Sequence, residues 1–207
     1  MKILIFGATG RIGSQVVMQA LEAGHFVTAF ARSPAKLNVQ NKNLTLVPGD
    51  VLDYHAVEKA MGSQDAVLCS LGGGRKGTVR SEGTRNIILA MEKKGSRRFI
   101  CQTTLGAGDS RGNLNFFWKH IMFGMLLKKA YADHEVQERY VFQCKLDWTI
   151  VRPGAFTDGP RTDEYLHGFS GEAKNLKLKI SCADVARFML KQLHDDTYLK
   201  KTPGLSY

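Results

Sequence analysis

The chain reads as α/β: a single-domain Rossmann fold over residues 1–207, a doubly wound parallel sheet with helices on both faces. Three observations predict it. Short apolar strand-like runs alternate with amphipathic helical patterns along most of the chain. The first run, Met1 to Phe6 (MKILIF), passes at once into Gly7-Ala8-Thr9-Gly10-Arg11-Ile12-Gly13 and then into a helical pattern, the strand–glycine turn–helix context of a dinucleotide-binding motif. A length of 207 residues supports one substantial core, and no repeat or low-complexity tract divides it.

The glycine spacing is GxxGxxG. Gly7 permits a tight turn at the strand end, Gly10 lets the backbone approach a pyrophosphate, and Gly13 lets the helix pack closely on the sheet. The phosphates would sit at the helix N-terminus, where backbone N–H groups lack partners. Ile12, Val16, Val17, Ala20 and Leu21 mark the apolar face of that helix.

His25 to Ala31 reads as the second strand, parallel to the first through a right-handed crossover. Its end selects the cofactor. Sites for NAD place an acid here to bind the ribose 2′-hydroxyl. This chain has Ala29-Phe30-Ala31-Arg32-Ser33 and then Lys36, a set suited to a 2′-phosphate, so NADP(H) is expected.

Asn43 to Val47 alternates as a third strand. Beyond it, Asp50 is placed to accept from the adenine amino group or to cap the helix at Tyr54–Met61, with Val51 against the ring. Asp65 to Leu71 is a fourth strand, apolar enough to be covered on both faces. Gly72-Gly73-Gly74-Arg75-Lys76-Gly77 follows at its carboxyl end, where ligands of such sheets bind. A helix over Arg80–Lys94 leads to a fifth strand, Arg98 to Thr104, which ends in two hydroxyls, Thr103 and Thr104.

A hydrophobic insertion occupies about 106–130. Gly106 to Gly112 reads as loop, and Leu114 to Leu127 is the most hydrophobic stretch of the chain. It is too short, and too broken by Lys119 and His120, to span a bilayer. A lid over an aromatic substrate, a membrane-facing amphipathic helix and a dimer surface are its three readings, in that order. A helix over Tyr131–Gln143 and a sixth strand over Leu146–Val151 follow. Pro153 and Gly154 then turn the chain over the nicotinamide end, near Phe156. Lys174 to Ile180 reads as a further strand. Ser181 caps a last helix, Val185 to Leu193, with Asp184 completing a capping-box variant.

The net charge of +10 comes without a long basic run or an aromatic-interleaved RNA motif, so nucleic acid is not expected. A field that attracts an anionic cofactor and a planar anionic substrate is the preferred reading. The four cysteines, Cys69, Cys101, Cys144 and Cys182, form no CxxC, and no histidine lies at metal-ligand spacing. Buried free thiols, no metal and a reducing cytoplasm are expected. The chain shows no signal-peptide pattern and is expected to be a cytoplasmic monomer or weak dimer.

Taken together, FGATG at Phe6–Gly10, the Arg32 loop, GDVL at Gly49–Leu52, QDAV at Gln64–Val67 and Leu71-Gly72 resemble the atypical short-chain dehydrogenase/reductase superfamily, the NAD(P)H-binding group that includes NmrA-like proteins. FGATG and the RPG turn mark only the superfamily. SEG at Ser81–Gly83 with the GDVL spacing, and Ile180-Ser181, Asp184 and FML at Phe188–Leu190, alongside Arg85-Asn86-Ile87 and Asp133-His134, narrow the resemblance to the biliverdin IXβ and flavin reductase family, end to end. The resemblance implies that Thr9, Gly10, Arg11 and Ile12 hold the pyrophosphate, with Arg32, Ser33 and Lys36 on the 2′-phosphate and Asp50 and Val51 at the adenine. It implies that Leu71, Gly72 and Gly73 line the cofactor, and that Thr104, Pro153 and Phe156 face the nicotinamide and substrate. Thr104 stands where this superfamily carries its catalytic serine, with Thr103 beside it, and Ala155 stands where the reductase family has a histidine.

The superfamily's Tyr-xxx-Lys pair falls on Ala130 and His134; Tyr131 is one residue away, about 100° around a helix. Carbonyl reduction therefore lacks its usual proton donor. The resemblance implies an NADPH-dependent reductase of flavins, and of linear tetrapyrroles or quinones, in which the protein chiefly positions two rings. A non-catalytic NADP(H) sensor or assembly factor acting through a protein partner is the alternative.

Overall fold

The computed structural model describes residues 1–73 and 77–207. Its main sheet is built from β1 (Lys2–Phe6), β2 (Phe26–Ala31), β3 (Leu44–Pro48), β4 (Ala66–Cys69), β5 (Arg98–Gln102) and β6 (Asp147–Pro153). The helices between them are α1 (Arg11–Glu22), α2 (Tyr54–Met61), α3 (Val79–Lys94) and α4 (Lys128–Gln143). After β6 come β7 (Ala155–Thr157), β8 (Leu166–His167), β9 (Lys179–Ser181), α5 (Cys182–Lys191) and β10 (Gly204–Ser206). The sheet order is β3-β2-β1-β4-β5-β6-β10-β8, parallel except for the antiparallel β10–β8 pair.

The two-residue alternation of the strands produces both layers. Ile3, Ile5, Val27, Ala29, Ala66 and Leu68 pack with α1 and α5 on one face. Leu4, Phe6, Val67, Cys69, Phe99 and Cys101 pack with α2, α3 and α4 on the other. The apolar stripe of α1 (Ile12, Val16, Val17, Ala20, Leu21) is buried as its spacing predicts. Removing one such side chain from water stabilises the fold by about 1.5–3 kcal/mol. All four cysteines are free thiols, and Cys69 lies beside Cys101 in the register of β4 and β5.

The chain leaves β1 toward β2 and β3, then returns through α2 to place β4 on the opposite side of β1. This reversal opens a crevice at the carboxyl ends of β1 and β4, the place where such sheets bind ligands.

Four local expectations are corrected. Of Lys174–Ile180 only the end is strand: Leu178 sits at φ +55°, and β9 begins at Lys179 to pair with β7. Asp50 does not cap α2. Asp53 does, accepting from the His55 and Ala56 N–H groups at 2.9 and 3.3 Å, while Asp50 accepts from Leu52 N–H at 3.0 Å in a tight turn. Gly106–Gly112 is not plain loop, since a 3-10 turn covers Gly108–Asn113.

The fourth concerns α5, which begins at Cys182. Ser181 Oγ accepts from Asp184 N–H at 3.0 Å, but Asp184 does not return the bond to the Ser181 backbone. That N–H meets the Tyr207 hydroxyl at 3.1 Å instead. The Asp184 carboxylate is used to pin other chain segments, accepting from Ser181 Oγ, Thr162, Asp163 N–H and Tyr207 Oη. Burial opposes its charge, yet these donors outweigh it and hold its pKa below the ordinary carboxylate value.

Candidate active site

The crevice begins at the β1–α1 turn. Gly7 adopts φ +75°, and its carbonyl accepts from Gly10 N–H at 2.9 Å. A Cβ at Gly7 would overlap the Ser70 carbonyl at the end of β4, and one at Gly13 would overlap the Gly7 carbonyl. Gly13 therefore packs α1 onto the turn itself and does not line the crevice. Gly10 is the N-cap of α1 and no side chain among the described residues caps that helix, so its first-turn N–H groups remain available to an anion. A Cβ at Gly72 would meet nothing within 4 Å. An uncapped helix end facing open space beside glycines fits a dinucleotide pyrophosphate.

The first cavity, about 490 Å³, is lined by Gly7, Thr9, Gly10, Arg32, Asp50, Val51, Leu71, Gly72 and Gly73 together with their neighbours. Arg32 is exposed at the end of β2, across from Asp50 and Val51. Ser33 and Lys36 follow on an exposed 3-10 turn, Pro34–Leu37, and stand outside the lining of the cavity. Gly74, Arg75 and Lys76 lie outside the described residues.

Two supports of this cavity were not legible as such in the sequence. Asn86 of α3 donates from Nδ2 to the Val51 and Leu52 carbonyls at 3.0 and 3.1 Å, fixing the turn after β3. A Cβ at Gly83 would come within 2.8 Å of both Val51 and Leu71, so that glycine lets both side chains reach the crevice wall. The α3 N-terminus is capped from another helix: Asp133 of α4 accepts from Arg80 N–H, Ser81 N–H and Ser81 Oγ at 3.1, 3.0 and 2.6 Å.

A second cavity of about 270 Å³ continues along Gly10, Arg11, Ile12, Leu71, Gly72, Thr103, Thr104, His134 and Phe156. The Arg11 guanidinium is turned outward to Asp158, 2.7 Å from Nη2, leaving its backbone to face the turn. Thr103 and Thr104 differ sharply. Thr103 is buried and donates from Oγ1 to Glu138 Oε1 at 2.7 Å; Thr104 is half-buried, and among the described residues its hydroxyl meets the Leu105 carbonyl alone, at 3.3 Å. Thr104 is thus the hydroxyl open to a ligand at this point.

Thr104 and Phe156 also open onto a third cavity of about 240 Å³, walled by Leu105, Leu114, Trp118, Phe123, Leu127, Pro153, Gly154, Ala155 and Leu178. Among the described residues no charged side chain lines it. Gly154 must be glycine, because a Cβ would come 2.7 Å from the Leu178 carbonyl carbon. The hydrophobic insertion forms one wall of this cavity, as a lid would.

The residues at the Tyr-xxx-Lys positions offer no proton donor. Ala130 is buried. His134 Nδ1 lies 3.0 Å from Gln137 Oε1, and burial, with the nearby Arg80 charge, pushes its pKa down to about 4. It is neutral at pH 7. Tyr131 donates its hydroxyl to the Gly106 carbonyl at 2.8 Å, and neither tyrosine nor lysine lines the second or third cavity among the described residues.

The sequence pattern of the NAD(P)H-binding family matches residues 7–196. This chain belongs to that family. NAD(P)H is accordingly its cofactor, and the crevice over β1 and β4, where no described side chain caps α1, is the candidate place for it. The chain is 29% identical to UPF0659 protein YMR090W of Saccharomyces cerevisiae, over 99% of its length and 92% of that protein. It is 26% identical to the photosystem II assembly factor Ycf39 of Synechocystis, covering 98% of this chain and 61% of that longer protein. Among solved structures it is similar to ChuY, an anaerobillin reductase from Escherichia coli O157:H7, at 25% identity and TM-score 0.82, covering 99% and 96% of the two chains. The oxidoreductase ylbE of Lactococcus lactis superposes with TM-score 0.84 at 25% identity, covering 99% and 90%. Among the described residues no helix is long and apolar enough to cross a membrane.

Proposed function

We propose that the protein is an NADPH-dependent reductase of a planar conjugated acceptor, with flavin the leading candidate and linear tetrapyrroles or quinones in the same class. The observation that carries this reading is the continuity of the crevice. The cavity at the nucleotide end joins the second cavity at Gly10, Leu71 and Gly72, which joins an uncharged aromatic-walled pocket at Thr104 and Phe156. The similarity to an anaerobillin reductase supports a conjugated acceptor.

When bound, the cofactor supplies a hydride at its nicotinamide ring. The α1 N-terminus, with the backbone of Thr9 to Ile12, takes the pyrophosphate. Arg32 would read the 2′-phosphate from the end of β2, Asp50 and Val51 would flank the adenine, and Leu71 to Gly73 would line the cofactor just past the carboxyl end of β4. Phe156, Pro153, Trp118 and Phe123 hold the acceptor ring against the nicotinamide, and the lid excludes water from one side. The acceptor gains the hydride and takes its proton from solvent, so neither Ala130 nor neutral His134 is required to act. The Thr104 hydroxyl, at the junction of the two cavities, orients the rings.

An acceptor panel with NADPH tests this reading: FMN, FAD, a biliverdin isomer, a quinone and a simple aldehyde. Turnover of one or more conjugated acceptors and none of the aldehyde is expected. Failure to oxidise NADPH above the uncatalysed rate with every conjugated acceptor rejects it. The likeness to Ycf39 favours a second reading, a non-catalytic NADP(H)-binding assembly factor. NADPH binding without turnover of any acceptor would support that alternative.

A further inference from the structure

The segment between β5 and α4 has two apolar faces, and the crevice uses only one. Phe117–Leu126 is a π-helix in which Leu127 N–H reaches the Met122 carbonyl at 2.7 Å. Side chains four or five positions apart therefore share a face. Trp118, Phe123 and Leu127 fall inward on the third cavity. Phe116, Phe117, Ile121, Met125 and Leu126 fall outward, with Phe116 and Met125 71% and 73% exposed. A contiguous apolar patch of this kind marks an interaction surface.

Its charge selects the occupant. Between Arg111 and Tyr131 the chain carries Arg111, Lys119, Lys128 and Lys129 and no acidic residue. We propose that this outer face docks on the surface of an anionic phospholipid bilayer. The apolar side chains enter the headgroup boundary, and Lys119, Lys128 and Lys129 lie against the headgroups. The helix is far too short to span, so it lies in the interface plane. A second copy of the chain is a poorer occupant, because two such faces would bring like charges together. The proposal stands independently of which acceptor the crevice reduces.

Sedimentation of the full chain with phosphatidylcholine vesicles, with and without phosphatidylglycerol, tests it. Binding to the anionic vesicles is expected, weakening with added salt. The double substitutions Phe116→Ser/Met125→Ser and Lys128→Glu/Lys129→Glu are each expected to reduce it by about tenfold or more. The second pair alters only exposed charges on a helix, so it reports even if the first disturbs folding. Three results would overturn the proposal. These are no sedimentation with anionic vesicles at low salt, undiminished sedimentation of folded variants of both pairs, or self-association abolished in Phe116→Ser/Met125→Ser without lipid binding by the parent chain.

Discussion

Arg152 holds both oxygens of Glu138, with Nε 2.9 Å from Oε1 and Nη2 2.7 Å from Oε2, and each residue is only 2% exposed. Thr103 donates to the same Oε1, and Asp109 pairs with the Arg152 guanidinium from the start of the insertion. Burial disfavours the Arg152 charge, but Glu138 and Asp109 more than offset that and raise its pKa. The group ties α4 and β6 to the end of β5 at Thr103, the residue before Thr104.

Glu138→Ala leaves the guanidinium buried without its main partner, and a loss of about 3–5 kcal/mol in unfolding free energy is expected. Urea unfolding measures it. The double variant Glu138→Ala/Arg152→Met should lose less than the sum of the single losses, since it removes the stranded charge. Strict additivity would mean that the pair is not coupled.

Under the proposed function Arg32 would select NADP(H) over NAD(H). Arg32→Ala is expected to raise the NADPH dissociation constant about 10- to 100-fold, from about 1.5–3 kcal/mol for a charged hydrogen bond. NADH binding should hardly change. Titrating both cofactors against the variant checks it, and equal loss for the two would remove Arg32 from the 2′-phosphate.

Gly72 separates cofactor binding from folding. Its Cβ position is open in the protein alone, so Gly72→Ala should leave unfolding free energy within about 0.5 kcal/mol. NADPH affinity should fall by about tenfold if the cofactor runs along this backbone, since inserting a methyl group into a filled site typically costs about 1–3 kcal/mol. Calorimetric titration reads the affinity, and unaltered binding would move the cofactor away from β4.

His134 gives a pH signature. Its folded pKa, about 4, lies below the unfolded value near 6.5, so between these the unfolded state binds the proton and the folded state does not. Stability therefore falls as pH drops from about 6.5 toward 4 and levels off below. By pH 4.5 the cost is about 2–3 kcal/mol relative to pH 7. His134→Gln should flatten this part of the unfolding profile; an unchanged slope would place the titration elsewhere.

The β1–α1 turn was legible because its signal is local: three glycines in seven residues, between a strand and a helix. The place of Arg32 at the cavity wall was legible for the same reason, one residue past a strand. Thr104 was chosen over Thr103 by the strand-end resemblance, but the reason Thr103 is committed elsewhere was not legible, since it depends on Glu138, contributed by a helix after the insertion. A lid was the first reading of Leu114–Leu127, but which of its side chains face the cavity escaped a 3.6-residue pattern, because Phe117–Leu126 has the wider π period, which puts Trp118 and Phe123 on one face. Strands of two or three residues, such as β8 and β10, carry no periodicity at all. They were invisible until tertiary pairing revealed them.

In the proposed reaction ring positioning, without a protein proton donor, carries the chemistry. The steady-state rate of NADPH oxidation by FMN, compared between the parent chain and Thr104→Val, tests it most directly. Measurable turnover in the parent and a kcat within about tenfold in the variant are expected, a smaller loss than the roughly 10²–10⁴ that a general acid contributes. A parent chain without turnover, or a Thr104→Val kcat reduced by about 100-fold or more, would contradict it.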